Sequence, residues 1–344
     1  MGPRSRAASR GSALLAFLRT EQAAGMLLLL ATISALVWAN TLSGYESFWT
    51  AHVGTKELRD WVNDDLMALF FFVVGLEIKR ELVVGELRDR RTAALPALAA
   101  VGGMLAPALL YLAFNAGRPG APGWGIPMAT DIAFVVGTTA LLGSRAPQRL
   151  RLFLLTLAIV DDVGVILIIA LAYSGGTVHP TLIAVVLALL VPAKPVLGRR
   201  VLEALENRLH PVASFVVVPV FALANAGVIV SSSSLRSAVH STVFWGIVAG
   251  LVLGKPLGIV GASLLGVRTR LGRLPAGVSR PNLVGGGALA GIGFTVSLFI
   301  ATLAFTDATL GTDATFGILV GSAVSGIVGT GLLLVQEPRS VRRS

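Results

Sequence analysis

Residues Leu152–Ala172 form an apolar run whose only charges are two adjacent aspartates, Asp161 and Asp162, near its middle. About 20 residues of helix cross the hydrocarbon core of a bilayer. The run is one of ten such segments: approximately Ala13–Ala39, Trp61–Leu82, Ala94–Phe114, Ile126–Leu142, Leu150–Tyr173, Thr177–Val191, Val212–Val230, Val243–Leu265, Leu283–Phe305 and Ala314–Val335. In lipid, every backbone N–H and C=O must find a partner within the protein. Only helices and closed barrels manage this, and the segment length selects helices. The pattern therefore predicts an all-α polytopic membrane protein. Only 13% of residues are charged, against about 25% in soluble domains. Nothing outside the segments is long enough to fold apart. Residues 1–344 read as one membrane transporter domain, with tails at 1–12 and 336–344.

The net charge of +10 could suggest nucleic acid as a partner, but its distribution argues against that. The basic residues gather at alternate segment ends. With a cytoplasmic N-terminus, 23 of the 28 Lys and Arg fall inside and 4 outside (Lys56, Arg59, Arg118, Arg236), and Lys255 is intramembrane. This asymmetry predicts ten spans with both termini cytoplasmic. The basic start (Arg4, Arg6, Arg10) before Ala13–Ala39 also fits a signal peptide. That apolar part is too long and lacks a clean cleavage site, so it reads as a retained first helix. The chain has no cysteine, which excludes disulfides, thiolate metal sites and Cys nucleophiles.

Two segments are poor regular helices. The fourth is interrupted around Pro122, Gly123, Gly125 and Pro127, followed by Ala129-Thr130-Asp131. The ninth holds Gly285-Gly286-Gly287, Gly291 and Gly293 before Phe294-Thr295-Val296-Ser297. Broken helices at membrane depth are tolerated where protein or a water-filled cavity satisfies the freed backbone. Corresponding breaks in two halves point to a transporter site. The halves are segments 3–5 (about 94–173) and 8–10 (about 243–335). Two segments lie between them, so the repeats are inverted.

The intramembrane ionisable set is Asp131, Asp161, Asp162 and Lys255. At roughly 3 kcal/mol each, insertion costs about 12 kcal/mol before pairing. Asp161 and Asp162 stand about 100° apart on a helix and cannot share one partner. One can pair with Lys255 while the other faces a cavity, where a proton and a hard cation compete for it. The bland alternative is a buried structural network. Asp131 could simply cap a half-helix. Further out, Asn63-Asp64-Asp65 reads as an N-terminal cap of the second segment. Glu77, Lys79, Arg80 and Glu81 read as interfacial charges with i,i+4 pairing. Glu206 and His210 precede the seventh segment and are candidate pH sensors. Asn225 reads as a hydrogen-bonding residue, and His179 as a bland one at the outer face.

At these residues the chain resembles the bacterial NhaA-type Na+/H+ antiporters. The matching stretches are Asn63–Leu82, Ala129–Phe134, Ala158–Gly164, Phe221–Gly227, Gly254–Gly258 and Gly291–Ala301. The resemblance implies crossed, discontinuous fourth and ninth helices, inverted repeats and alternating access. It implies Na+ at Asp162 and Asp161, with Asp162 the principal cation ligand and proton carrier. Asp161 would pair with Lys255 or share ligation. Thr130 would lie near the cation, Asp131 would balance the half-helix ends, and Asp64 would be a supporting charge. Glu77, Arg80, Glu81, Glu206 and His210 match a cytoplasmic pH-response cluster.

Three departures stand out. The family has twelve helices, and a pair is missing here after Tyr173. Asn207 stands where relatives can carry histidine, so pH regulation can differ. The loop Thr41–Asp60 is too short for the family's outer β-hairpin, which weakens any carry-over of its dimer.

The expected function is an electrogenic exchange of cytoplasmic Na+ (or Li+) for external H+ in the bacterial inner membrane. The partners are Na+, Li+, H+ and the lipid bilayer, with a homodimer left open and no cofactor. One rival is an inactive or regulatory relative disabled by the missing helices. Another is an intramembrane aspartyl hydrolase, which needs two carboxylates sharing a proton and would have to use Asp131 with Asp161.

Overall fold

The computed structural model describes residues 3–173, 179–193, 195, 200–275 and 277–335. Lys194, Arg199, Arg339, Arg342, Arg343 and the tail 336–344 lie outside the described residues, as does Thr177 at the predicted start of the sixth segment. Nearly all that is described is helix. The principal helices are α1 (Pro3–Thr41), α2 (Met67–Val83), α3 (Arg90–Asn115), α4 (Ile132–Leu141), α5 (Gln148–Ile168) and α6 (Pro180–Leu190). They continue with α7 (Val201–Val212), α8 (Val218–Asn225), α9 (Thr242–Ala249), α10 (Lys255–Arg268), α11 (Arg280–Leu289), α12 (Phe294–Ala304) and α13 (Ala308–Leu334). Several of them join through a single wide turn. The turn Ala213–Val217 links α7 to α8, and Gly250–Gly254 links α9 to α10.

Seven helical stretches among the described residues are long and apolar enough to cross a membrane. There are eight if the bent pair α11–α12 forms one span. The two remaining predicted segments differ for physical reasons. The second, reaching α2, carries Glu77, Lys79, Arg80 and Glu81 in its last turns. The sixth is reduced to α6, only 11 residues long.

Two triplets repeat the order of long helix, broken helix, long helix. The first is α3, then Ala121–Met128 with α4, then α5. The second is α9–α10, then α11 with α12, then α13. Their most extensive contact is α3 against α10, and small residues make it possible. Gly250, Gly254 and Gly258 recur every four residues and meet the Gly102–Pro107 stretch of α3. A methyl group on Gly258 would overlap the Gly102 carbonyl. Between helices in lipid, such close backbone approach replaces the hydrophobic drive that lipid tails cannot supply.

Two sequence expectations need correction. The loop Thr41–Asp60 does hold a β-ribbon: β1 (His52–Val53) pairs antiparallel with β2 (Lys56–Glu57) around Gly54, whose φ is +69°. Two residues per strand suffice because the turn is tight and glycine adopts its left-handed conformation. Asn63-Asp64-Asp65 is not a helix cap either. Helix already starts at Leu58, and these three residues lie inside the wide turn Trp61–Leu66.

Candidate cation and proton site

Proline and glycine determine where the two broken helices part. In Ala121–Met128 they leave a tight 3₁₀ coil, after which Ala129 is extended (φ −74°, ψ 152°) and α4 begins at Ile132. In the second triplet Gly291-Ile292-Gly293 separate α11 from α12, which are bent by 46°. The two breaks bond to each other. Asp131 N donates to Ile292 O at 2.7 Å. Ser297 Oγ, from α12, donates to Ile126 O at 2.7 Å. The backbone groups freed by each break thus find partners in the other.

Asp131 serves both half-helices that start here. Its Oδ1 accepts from Phe134 N (3.3 Å) at the start of α4. Its Oδ2 accepts from Thr295 N (3.1 Å) and Thr295 Oγ1 (2.6 Å) at the start of α12. One carboxylate therefore faces two positive dipole ends.

The adjacent aspartates part company. Asp161 is fully buried, and its Oδ2 accepts from Lys255 Nζ at 2.8 Å and from Thr130 Oγ1 at 2.7 Å. Lys255, also fully buried, donates in addition to Met128 O. Asp161 Oδ1 has no hydrogen-bond partner among the described residues. Asp162 faces elsewhere, onto a cavity of about 80 Å³ shared with Thr130, Asp131, Thr295, Glu77, His210 and Ser214. That volume holds a few waters.

Arg80 gathers the carboxylates of the predicted cluster. Arg80 lies 3.1 Å from Glu81, 3.2 Å from Glu206 and 3.9 Å from Glu77. Glu77 and His210 line the cavity itself, so these two members of the cluster share it with Asp162. Lys79 departs from the expected i,i+4 pairing. Its Nζ donates to the carbonyls of Leu189 and Val191, closing the last turn of α6.

Asp64 is not brought to this site. It pairs with Lys56 at 2.9 Å beside the β-ribbon, with His179 Nε2 at 3.9 Å. Asn225 donates to Asn63 Oδ1 at 2.8 Å and so ties α8 to the start of the second segment. Asp131 and Asp161 do not bond each other, which removes the dyad an aspartyl hydrolase requires.

Sequence reasoning missed three participants: Thr295, the Met128 carbonyl and Ser214. Thr295 carried a signal, since a hydroxyl two residues beyond Gly293 mirrors Thr130 at the other break. The carbonyl carried none, because any residue supplies one. Among the described residues no three His, Cys, Asp or Glu side chains group as a resident metal site.

Comparison with known proteins bears on this geometry. The profile of the Na+/H+ antiporter 1 family matches residues 15–177 and 174–333, two stretches that meet just after Tyr173. The chain is 42% identical to the Na+/H+ antiporter NhaA 3 of Frankia alni, over 94% of this chain and 88% of that protein. It is 44% identical to the Na+/H+ antiporter NhaA of Serratia proteamaculans, over 94% and 98%. The figure for the Na+/H+ antiporter NhaA of Vibrio cholerae is 41%, over 94% and 97%. The Serratia alignment runs to 380 positions, more than the whole of this chain, so that relative carries residues this one lacks.

Proposed function

This chain belongs to the Na+/H+ antiporter 1 family, and from that premise we propose that it exchanges cytoplasmic Na+ or Li+ for external H+ across the bacterial inner membrane. It is a multi-pass membrane transporter and not an enzyme. One observation carries the reading: of two neighbouring carboxylates, Asp161 is held by Lys255 and Thr130, while Asp162 lines the cavity.

Asp162 is the principal ligand and proton carrier on this reading. Asp161, with its unpartnered Oδ1, offers a second carboxylate oxygen, and Thr130 a hydroxyl. Oxygen donors of this kind suit a hard monovalent cation. In the cycle, Na+ enters from the side of Glu77 and His210 and displaces protons from Asp162 and its neighbour. The two inverted triplets rock, and external protons then displace Na+. More protons enter than Na+ leaves, so the membrane potential contributes about 2.3 kcal/mol per charge per 100 mV. Asp131 stabilises the paired half-helix ends throughout. Both termini are cytoplasmic, consistent with the basic bias of that face. A helix pair is absent after Tyr173, yet both triplets are complete.

The test is pH-gradient dissipation in everted vesicles with and without NaCl, for wild type and Asp162→Asn. Collapse of the gradient by Na+ in wild type alone supports the proposal. Full activity in Asp162→Asn refutes the assignment of Asp162. A correctly inserted wild type indifferent to Na+ and Li+ at every pH favours a regulatory relative.

A further inference from the structure

A second cavity, of about 1,100 Å³, opens at the arginine-rich face, away from the Asp162 cavity. It lies between the first turns of α3 (Thr92, Leu95, Pro96), the first turns of α5 (Gln148 to Thr156) and the loop 270–275 that follows α10. Its lining also holds apolar side chains, of which Leu95, Pro96 and Phe153 are buried, Leu152 is partly buried and Leu271 is exposed. Thr156 stands eight residues into α5 from Gln148, so the cleft extends about 12 Å along that helix. Three arginines line it: Arg149, Arg270 and Arg273. All three are exposed, and none makes a side-chain hydrogen bond or ion pair among the described residues. Among the described residues no carboxylate lines the cavity. One stands beside it, as Thr92 Oγ1 donates to Asp89 Oδ2 at 2.6 Å. Arg270 also has φ +61°, the only non-glycine residue with positive φ among the described residues.

We propose that this cleft binds an anionic phospholipid, its phosphate held by Arg149, Arg270 and Arg273 and its acyl chains laid on Leu152 and Leu271. Charge complementarity selects an anion, since three arginines line the cavity and, among the described residues, no carboxylate does. The accessible apolar side chains of Leu152 and Leu271 select a lipid over free phosphate, which has nothing to place against them. The location fits as well, because basic pockets between helices at the membrane–water boundary recognise anionic headgroups. A bound lipid would bridge the helix starts of the first triplet to the loop between α10 and α11 of the second. The proposal assumes the topology given above, in which this is the cytoplasmic face. Its test reads binding and not exchange, so the two can fail separately.

The full chain, delipidated in detergent, is titrated with phosphatidylglycerol, phosphatidylcholine or inorganic phosphate while its Tm is followed. Wild type should gain several degrees with phosphatidylglycerol and little with the other two. In R149Q/R270Q/R273Q the apparent affinity for phosphatidylglycerol should fall, by about fivefold per arginine. Arg270→Gly is the control for folding: glycine suits the positive φ, so it should fold at least as well yet bind this lipid less tightly. R118Q/R236Q, on the opposite face, should respond as wild type does. An equal response to phosphatidylcholine, an equal effect of phosphate alone, or an undiminished response of the triple variant overturns the proposal.

Discussion

Asp131 and Thr295, 164 positions apart in sequence, share two hydrogen bonds: Oδ2 of the aspartate accepts from both the backbone N (3.1 Å) and the hydroxyl (2.6 Å) of the threonine. This contact joins the two broken helices at the depth of the candidate site.

Thr295→Val keeps the shape and the backbone bond but removes the hydroxyl. A hydrogen bond to a charged group contributes about 1.5–3 kcal/mol, and a buried acceptor left short of a partner costs more than the mean. Thermal unfolding in detergent should register a loss in that range. An unchanged Tm would mean the contact does not hold the two half-helices together.

Lys255 and Asp161 are both fully buried and 2.8 Å apart. Removing one member of such a pair costs about 3–5 kcal/mol, because the other charge stays behind without its counter-ion. Lys255→Met should therefore be strongly destabilised, and Lys255→Met/Asp161→Asn should recover a large part of the loss. A double variant no better than the single would rule out the uncompensated charge as the cause.

Two glycines of α10 provide an internal contrast. A Cβ at Gly258 would collide with the Gly102 backbone, whereas a Cβ at Gly261 meets nothing within 4 Å. Gly258→Ala should cost about 1–3 kcal/mol through overpacking. Gly261→Ala should be neutral or stabilise by up to about 1 kcal/mol through helix propensity. Similar Tm shifts for both would disprove close backbone approach as the reason for Gly258.

Outside the membrane, Arg59 grips Glu46 through two bonds of 2.7 and 2.9 Å and holds its carboxyl below the ordinary value of 4.5. A lowered folded-state pKa contributes stability that is complete above pH 4.5 and lost as pH falls through the lowered value. Both partners are partly exposed, so the effect is small. Tryptophan emission should report it, since Trp49 and Trp38 pack beside this loop. In Arg59→Gln the acid transition should move upward toward pH 4.5. An unmoved midpoint would exclude this pair as the titrating unit.

How far the sequence could be read differs from residue to residue. Asp161, Asp162, Asp131 and Lys255 announced themselves because an ionisable group inside an apolar run is too costly to be incidental. The breaks were legible because proline and glycine act locally on the backbone. The β-ribbon was not foreseen, since two-residue strands leave almost no periodic signal. Lys79 was misassigned because its true acceptors, the Leu189 and Val191 carbonyls, lie more than a hundred residues away. Asp64 looked like a cap only because the helix start at Leu58 could not be seen.

By itself the sequence determined that this chain lives in a membrane, where its backbone must break, and which few ionisable groups it keeps there. Those properties follow from local free energies of transfer and backbone conformation. Only the tertiary structure decided which aspartate meets Lys255 and which lines the cavity. A helix sets the angle between neighbours, but the helices packed around it decide what each one faces. The same holds for Asp131, whose second half-helix arrives from the far end of the chain.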